Sequence, residues 1–121
     1  MKHLLLVFLG GGFGSSLRYL ISKWLNTGTY PLGTFAVNMI GSFLIGIILG
    51  YAAKGGNISE STSLFIATGF CGGFTTFSTF SYENNMFLKS GDFLGFSLYT
   101  TASVAVGIFT AFVGIWISKH L

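Results

Sequence analysis

Residues 69 to 81 read Gly69-Phe70-Cys71-Gly72-Gly73-Phe74-Thr75-Thr76-Phe77-Ser78-Thr79-Phe80-Ser81. The run lies in the middle of a long apolar segment. It contains what a helix there tolerates poorly: paired glycines, each about 1 kcal/mol worse than alanine, followed by successive threonines. A helix broken at membrane depth releases carbonyls from its i to i−4 ladder, and these cannot be left facing lipid. They must meet protein, water or an ion.

The composition places this segment in a membrane. Of 121 residues, 51% are hydrophobic and 7% are charged, whereas a soluble domain carries about 25% charged residues. Mean hydropathy is +0.74. Four apolar stretches run from about His3 to Leu25, Gly33 to Ala53, Ser63 to Leu88 and Phe93 to Ser118, each near the length needed to cross about 30 Å of hydrocarbon. The sequence therefore predicts an all-α integral membrane protein: one domain over residues 1–121, with four transmembrane helices and the third broken near residues 70–76. Lys2 and the apolar run from Leu4 to Leu9 resemble a secretory leader, but apolar character resumes after Arg18, so this stretch is kept as the first helix.

The connections carry turn chemistry: Asn26-Thr27-Gly28 with Pro31, Lys54-Gly55-Gly56-Asn57 and Lys89-Ser90-Gly91-Asp92. Gly10 and Gly14, and likewise Ser42, Gly46 and Gly50, recur every four residues, a spacing that lets helix backbones approach closely in lipid. The run Gly10-Gly11-Gly12-Phe13-Gly14 is not a dinucleotide loop, because no βαβ unit surrounds it. Cys71 is the only cysteine, which excludes an internal disulfide and a thiol cluster. It reads as a small buried residue. The net charge of +3 is too scattered for nucleic-acid binding.

The basic residues barely distinguish the two sides of the membrane. Lys2, Lys54 and Lys119 share the side of the termini, while Lys23 and Lys89 lie opposite, with Arg18 deeper in the same half. Without a positive-inside bias a chain can insert in either orientation, and two opposite copies can pair about an axis in the membrane plane.

Several side chains in these segments can carry chemistry. Broken helices offer carbonyls and helix-end dipoles to cations such as sodium, although a glycine kink that only improves packing is the plainer reading. Phe74, Phe77 and Phe80 follow at three-residue spacing, roughly along one helical stripe. Their default role is packing, but a ring turned edge-on presents its positive rim to an anion. Asn38, with Thr34 one turn earlier, can donate to an anion or tie helices together. Tyr99, Ser103, Gly107 and Thr110 fall near helical spacing on the fourth segment, a track of hydroxyls that can replace an anion's water. Arg18 and Glu83 are charges within spans, where charge is costly. Arg18 reads as a vestibule residue or an interface anchor, and Glu83 as an organiser of polar neighbours. His3 and His120 sit near the ends, and no nucleophile–base pair or metal cluster marks an enzyme.

Taken together, Gly10 to Tyr19, Gly33 to Asn38 with Gly41-Ser42-Phe43, and above all Gly69 to Ser81 resemble the Fluc (CrcB) fluoride channels over essentially the full length. The resemblance implies a dual-topology antiparallel homodimer in the bacterial cytoplasmic membrane that passively exports fluoride through two antiparallel pores, with a structural sodium ion at its centre. It implies Gly72 and Thr75 as carbonyl donors to sodium, Phe77 and Phe80 as pore phenylalanines with Asn38 beside them, and Thr34, Tyr99 and Ser103 as members of the hydroxyl track. Gly107 stands where some members continue that track with serine. Fluoride, membrane lipid and a second copy of the chain are the implied partners. A small multidrug-type exporter would need a carboxylate in the first segment, which has none. A proton-coupled anion antiporter would be driven uphill by a pH gradient. A membrane assembly subunit would have no use for so costly a polar break.

Overall fold

The computed structural model describes residues 1–121, and every regular element is helical. Helix α1 spans Lys2–Leu25 and α2 spans Leu32–Ala53. The third segment begins with α3, Glu60–Ser63, continues as a π-helix over Leu64–Cys71 and ends its first half in α4, Gly72–Phe74. After two extended residues, α5 runs over Phe77–Lys89, and α6 spans Phe93–Ser118. Three helices, α1, α2 and α6, are long and apolar enough to cross a membrane. The two halves of the third segment are each too short to cross about 30 Å alone.

The third segment departs from the sequence expectation in three ways. It starts at Glu60 rather than Ser63, because Ser59 accepts from Thr62 N at 3.1 Å and caps a polar first turn. The paired glycines do not break it: Gly72 and Gly73 belong to α4, and the interruption is confined to Thr75 (φ −89°, ψ 160°) and Thr76 (φ −152°, ψ 120°). The expected single stripe of phenylalanines is thereby divided. Phe74 is buried and stacks on Phe70 at 5.3 Å, whereas Phe77, beyond the break, is 78% exposed.

Packing follows the small residues. Helices α2 and α6 form the most extensive pair; a Cβ at Gly46 would strike the Ala111 backbone, and one at Gly50 would sit 3.1 Å from Ile115 Cα. Helix α1 lies against the π-helix and α4, with Gly10 and Gly14 facing the backbones of Phe65 and Phe70. Such close approach maximises dispersion contacts that lipid tails cannot match. Gly55 and Gly91, with φ near +84° and +80°, end their helices. The following N–H groups of Gly56 and Asp92 reach back to Tyr51 O and Phe87 O, both at 2.9 Å, closing Schellman turns.

Only 18 of the 121 residues are buried. A chain that is half hydrophobic therefore presents most of its apolar side chains outward, to lipid or to another protein surface.

The α1 contact gives a direct test. A Cβ at position 14 would lie 2.8 Å from Phe74 N and collide with the Phe70 carbonyl, both backbone atoms that cannot step aside. Gly14→Ala is expected to destabilise the folded protein by about 1–3 kcal/mol, the usual cost of overpacking, measured as denaturant unfolding in detergent micelles.

Candidate functional site

The break exists because side chains replace the rungs of the helix ladder that it removes. Thr76 N, which an unbroken helix would aim at the Gly72 carbonyl, donates instead to Asn38 Oδ1 at 2.8 Å, and Asn38 Nδ2 donates to Thr76 O at 3.2 Å. This reciprocal pair pins the extended backbone to α2. Thr79 N turns to Thr76 Oγ1 at 3.2 Å, making Thr76 the N-cap of α5. On the other side of the break, Thr75 Oγ1 donates to Cys71 O at 2.8 Å. The Gly73 carbonyl accepts from Arg18 Nε at 2.9 Å and from Ser15 Oγ at 3.4 Å. The Thr75 carbonyl receives no hydrogen bond.

A cavity of about 340 Å³ opens beside the break. Asn38, Gly72, Thr75, Phe77, Phe80 and Ser103 line it, so it gathers six of the residues singled out from the sequence, together with Gly107. Phe77 and Phe80 stand 5.7 Å apart with their planes inclined by 44°. Ser103 Oγ is the one buried side-chain oxygen or nitrogen without a hydrogen-bond partner. Its proton is therefore uncommitted. Asn38 also keeps one amide N–H beyond the one given to Thr76.

Thr34, Tyr99 and Glu83 form a second group. Thr34 Oγ1 donates to Glu83 Oε2 and Tyr99 OH to Glu83 Oε1, each at 2.7 Å. Glu83 thus joins α2, α5 and α6 with no cation beside it; the carboxylate is met by two hydroxyl donors, whose charge-assisted bonds are stronger than neutral ones. Both hydroxyls spend their single proton on it. The Tyr99 ring packs on Phe80 at 5.1 Å and on Phe87 at 6.0 Å, which couples this knot to the first cavity. A wider hollow of about 650 Å³ lies on its far side, bordered by Asn26, Glu83, Lys89 and Asp92.

Other contacts were not legible in the sequence. Arg18 Nε braces α4 through the Gly73 carbonyl. Asn84, buried, donates to Phe80 O at 3.1 Å and accepts from Thr100 Oγ1 at 3.0 Å, fixing α5 against α6. Asn26, read only as a turn residue, reaches the start of α2. In each case the partner lies on a different element, which spacing along one helix does not reveal.

Fold and site together define a multi-pass helical membrane protein whose interrupted segment opens onto a small chamber of aromatic rings and few polar groups. The family model described as "CrcB-like protein, Camphor Resistance (CrcB)" matches residues 5–115, and the chain belongs to this family. It is 49% identical over 124 residues to a protein of Gloeothece citriformis named "Fluoride-specific ion channel FluC", covering 99% of both chains. A Phocaeicola vulgatus protein of the same name is 47% identical over 122 residues, covering 98% of this chain and 100% of the relative. "Fluoride-specific ion channel FluC 2" of Bacillus subtilis is 41% identical over 121 residues, covering 100% and 91%.

The Asn38–Thr76 pair is open to a stability measurement. Asn38→Leu, similar in size, would leave the N–H and C=O of Thr76 unmatched; each unsatisfied buried group costs about 1–3 kcal/mol. The variant is expected to unfold at lower denaturant concentration by a corresponding margin, and an unchanged midpoint would show that the pair does not hold the break.

Proposed function

We propose that this protein is a fluoride channel that lets the ion leave the cell down its gradient, and that it works as an antiparallel homodimer with a sodium ion held at the centre. The observation that carries the channel reading is the cavity lined by Phe77, Phe80, Asn38 and Ser103, the last bearing a buried hydroxyl with no partner within the chain. A small, strongly hydrated anion must exchange its water for donors, as ions do in selective filters generally. Here the donors are the Ser103 O–H, the spare Asn38 N–H and the positive rims of two phenylalanine rings. Donors that replace the water of so strongly hydrated an ion, together with size, set fluoride apart from chloride. The names of the relatives supply the identity of that anion.

Further along, an anion passing Thr34 and Tyr99 has to draw their protons from Glu83, to which both are committed. The knot around Glu83 is then a second step of the path, joined to the first through the Phe80–Tyr99 contact.

The dimer and the sodium ion rest on what one chain leaves unfinished. Gly72 is exposed, and a Cβ there would meet nothing within 4 Å. A helical glycine costs about 1 kcal/mol relative to alanine, so a close neighbour outside the chain gives a reason for it. Beside it, the Gly72 carbonyl has lost its Thr76 rung and the Thr75 carbonyl has no donor. Such oxygens suit a hard cation, and a second copy related by an axis in the membrane plane doubles their number. The outward-facing Phe77 then reaches the partner's side of the path.

Two experiments test this reading. Purified protein in liposomes is expected to release fluoride rapidly and chloride negligibly, with Phe80→Ala abolishing or strongly reducing the fluoride signal. Equal release of both ions, or none, would overturn the channel reading. Gly72→Leu is expected to convert the dimer to a helical monomer in detergent, read by light scattering; a dimer that survives the substitution would remove Gly72 from the subunit contact.

A further inference from the structure

We infer that Asn26 is a positioning residue of the permeation path, acting through Thr34 on the carboxylate of Glu83. This rests on the channel reading above.

Asn26 follows the last residue of α1 and lies across a short loop from the start of α2. Pro31, at the N-cap position of α2, has no side-chain acceptor for the first-turn N–H groups. Asn26 Oδ1 takes that role, accepting from Gly33 N at 2.6 Å and Thr34 N at 3.3 Å. Its amide nitrogen does something a cap does not require: Nδ2 donates to Thr34 Oγ1 at 3.2 Å.

That second bond sets the direction of the Thr34 hydroxyl. A threonine hydroxyl has one proton and two lone pairs. With a donor occupying one lone pair, the proton points to Glu83 Oε2, 2.7 Å away. Tyr99 fills the other carboxylate oxygen from α6. Asn26 therefore orders a line of hydrogen bonds from the α1–α2 loop through Thr34 and Glu83 to Tyr99, whose ring lies against Phe80. Thr34 is fully buried, and a Cβ at Gly33 would approach Asn26 Oδ1 to 2.9 Å and Ser22 Cα to 2.8 Å. Glycine at 33 and asparagine at 26 are thus fitted to each other.

The capping and positioning roles separate by substitution. Asn26→Asp keeps the oxygen that caps α2 and adds a negative charge where a helix N-terminus favours one. It loses the amide donor and supplies an acceptor that competes with Glu83 for the Thr34 proton. Its melting temperature is expected to match the unmutated protein, while single-channel fluoride current in planar bilayers falls about tenfold, the scale of one charge-assisted hydrogen bond. In a Thr34→Val background the same substitution is expected to change the remaining current less than about twofold, because the intermediary is gone. Should Asn26→Asp not purify as folded protein, Asn26→Ser, which keeps an oxygen and lacks the amide, carries the same expectation of non-additivity.

A current within about twofold of the unmutated value for Asn26→Asp overturns the inference, and so does an equal fall in the Thr34→Val background, which would assign the effect to charge alone. In either case the unmutated channel still conducts fluoride and the channel reading stands. Failure of the unmutated protein to pass fluoride removes both.

Discussion

The structure depends on one constraint: two consecutive residues, Thr75 and Thr76, are extended within a segment that must otherwise hydrogen-bond to itself. Lipid offers no partner for a freed N–H or carbonyl. The reciprocal bonds between Asn38 and Thr76 meet that demand from the neighbouring helix, and the Thr76 hydroxyl restarts the ladder at α5. Where the chain does not complete the accounting itself, at the Thr75 carbonyl and the Ser103 hydroxyl, an acceptor and a donor remain available. Thr75 and Ser103 both line the hollow beside the break.

The remaining packing keeps that hollow in place. Glycines bring α1 onto the first half of the broken segment and α2 onto α6 at backbone contact, while the half after the break is held by aromatic contacts and polar bonds. Glu83 ties α5 to both α2 and α6, and Asn84 adds a second tie to α6. Buried polar groups are costly when unmatched and rigidifying when matched. The segment that bears Phe77 and Phe80 is accordingly positioned by directional bonds together with the packing of Phe80 and Phe87 on Tyr99.

Much of this was legible in the sequence, because the signals were local. Long apolar stretches, turn glycines and small residues at four-residue spacing specify helices and their close faces. The motif from Gly69 to Ser81 marked the interruption; Asn38, Gly72, Thr75, Phe77, Phe80 and Ser103 line one cavity, while Thr34 and Tyr99 meet Glu83 apart from it. Its position within the motif was less legible: propensity points to Gly72 and Gly73, yet both are helical, and tertiary bonds from Asn38 place the break two residues later. The supposed stripe through Phe74, Phe77 and Phe80 failed for the same reason, since an extended pair resets the helical phase. The partners of Arg18 and Asn26, Gly73 and the first turn of α2, were not legible because they become neighbours only after folding.

The proposed channel role turns on whether the donors of the chamber beside Thr75 and Thr76 repay fluoride's dehydration better than chloride's. The reversal potential of the unmutated protein in a planar bilayer, with fluoride on one side and chloride on the other, measures this most directly. The potential is expected to follow the fluoride gradient and to be indifferent to the chloride concentration. A potential that moves with chloride would contradict the role given to Ser103, Asn38 and the two phenylalanine rings.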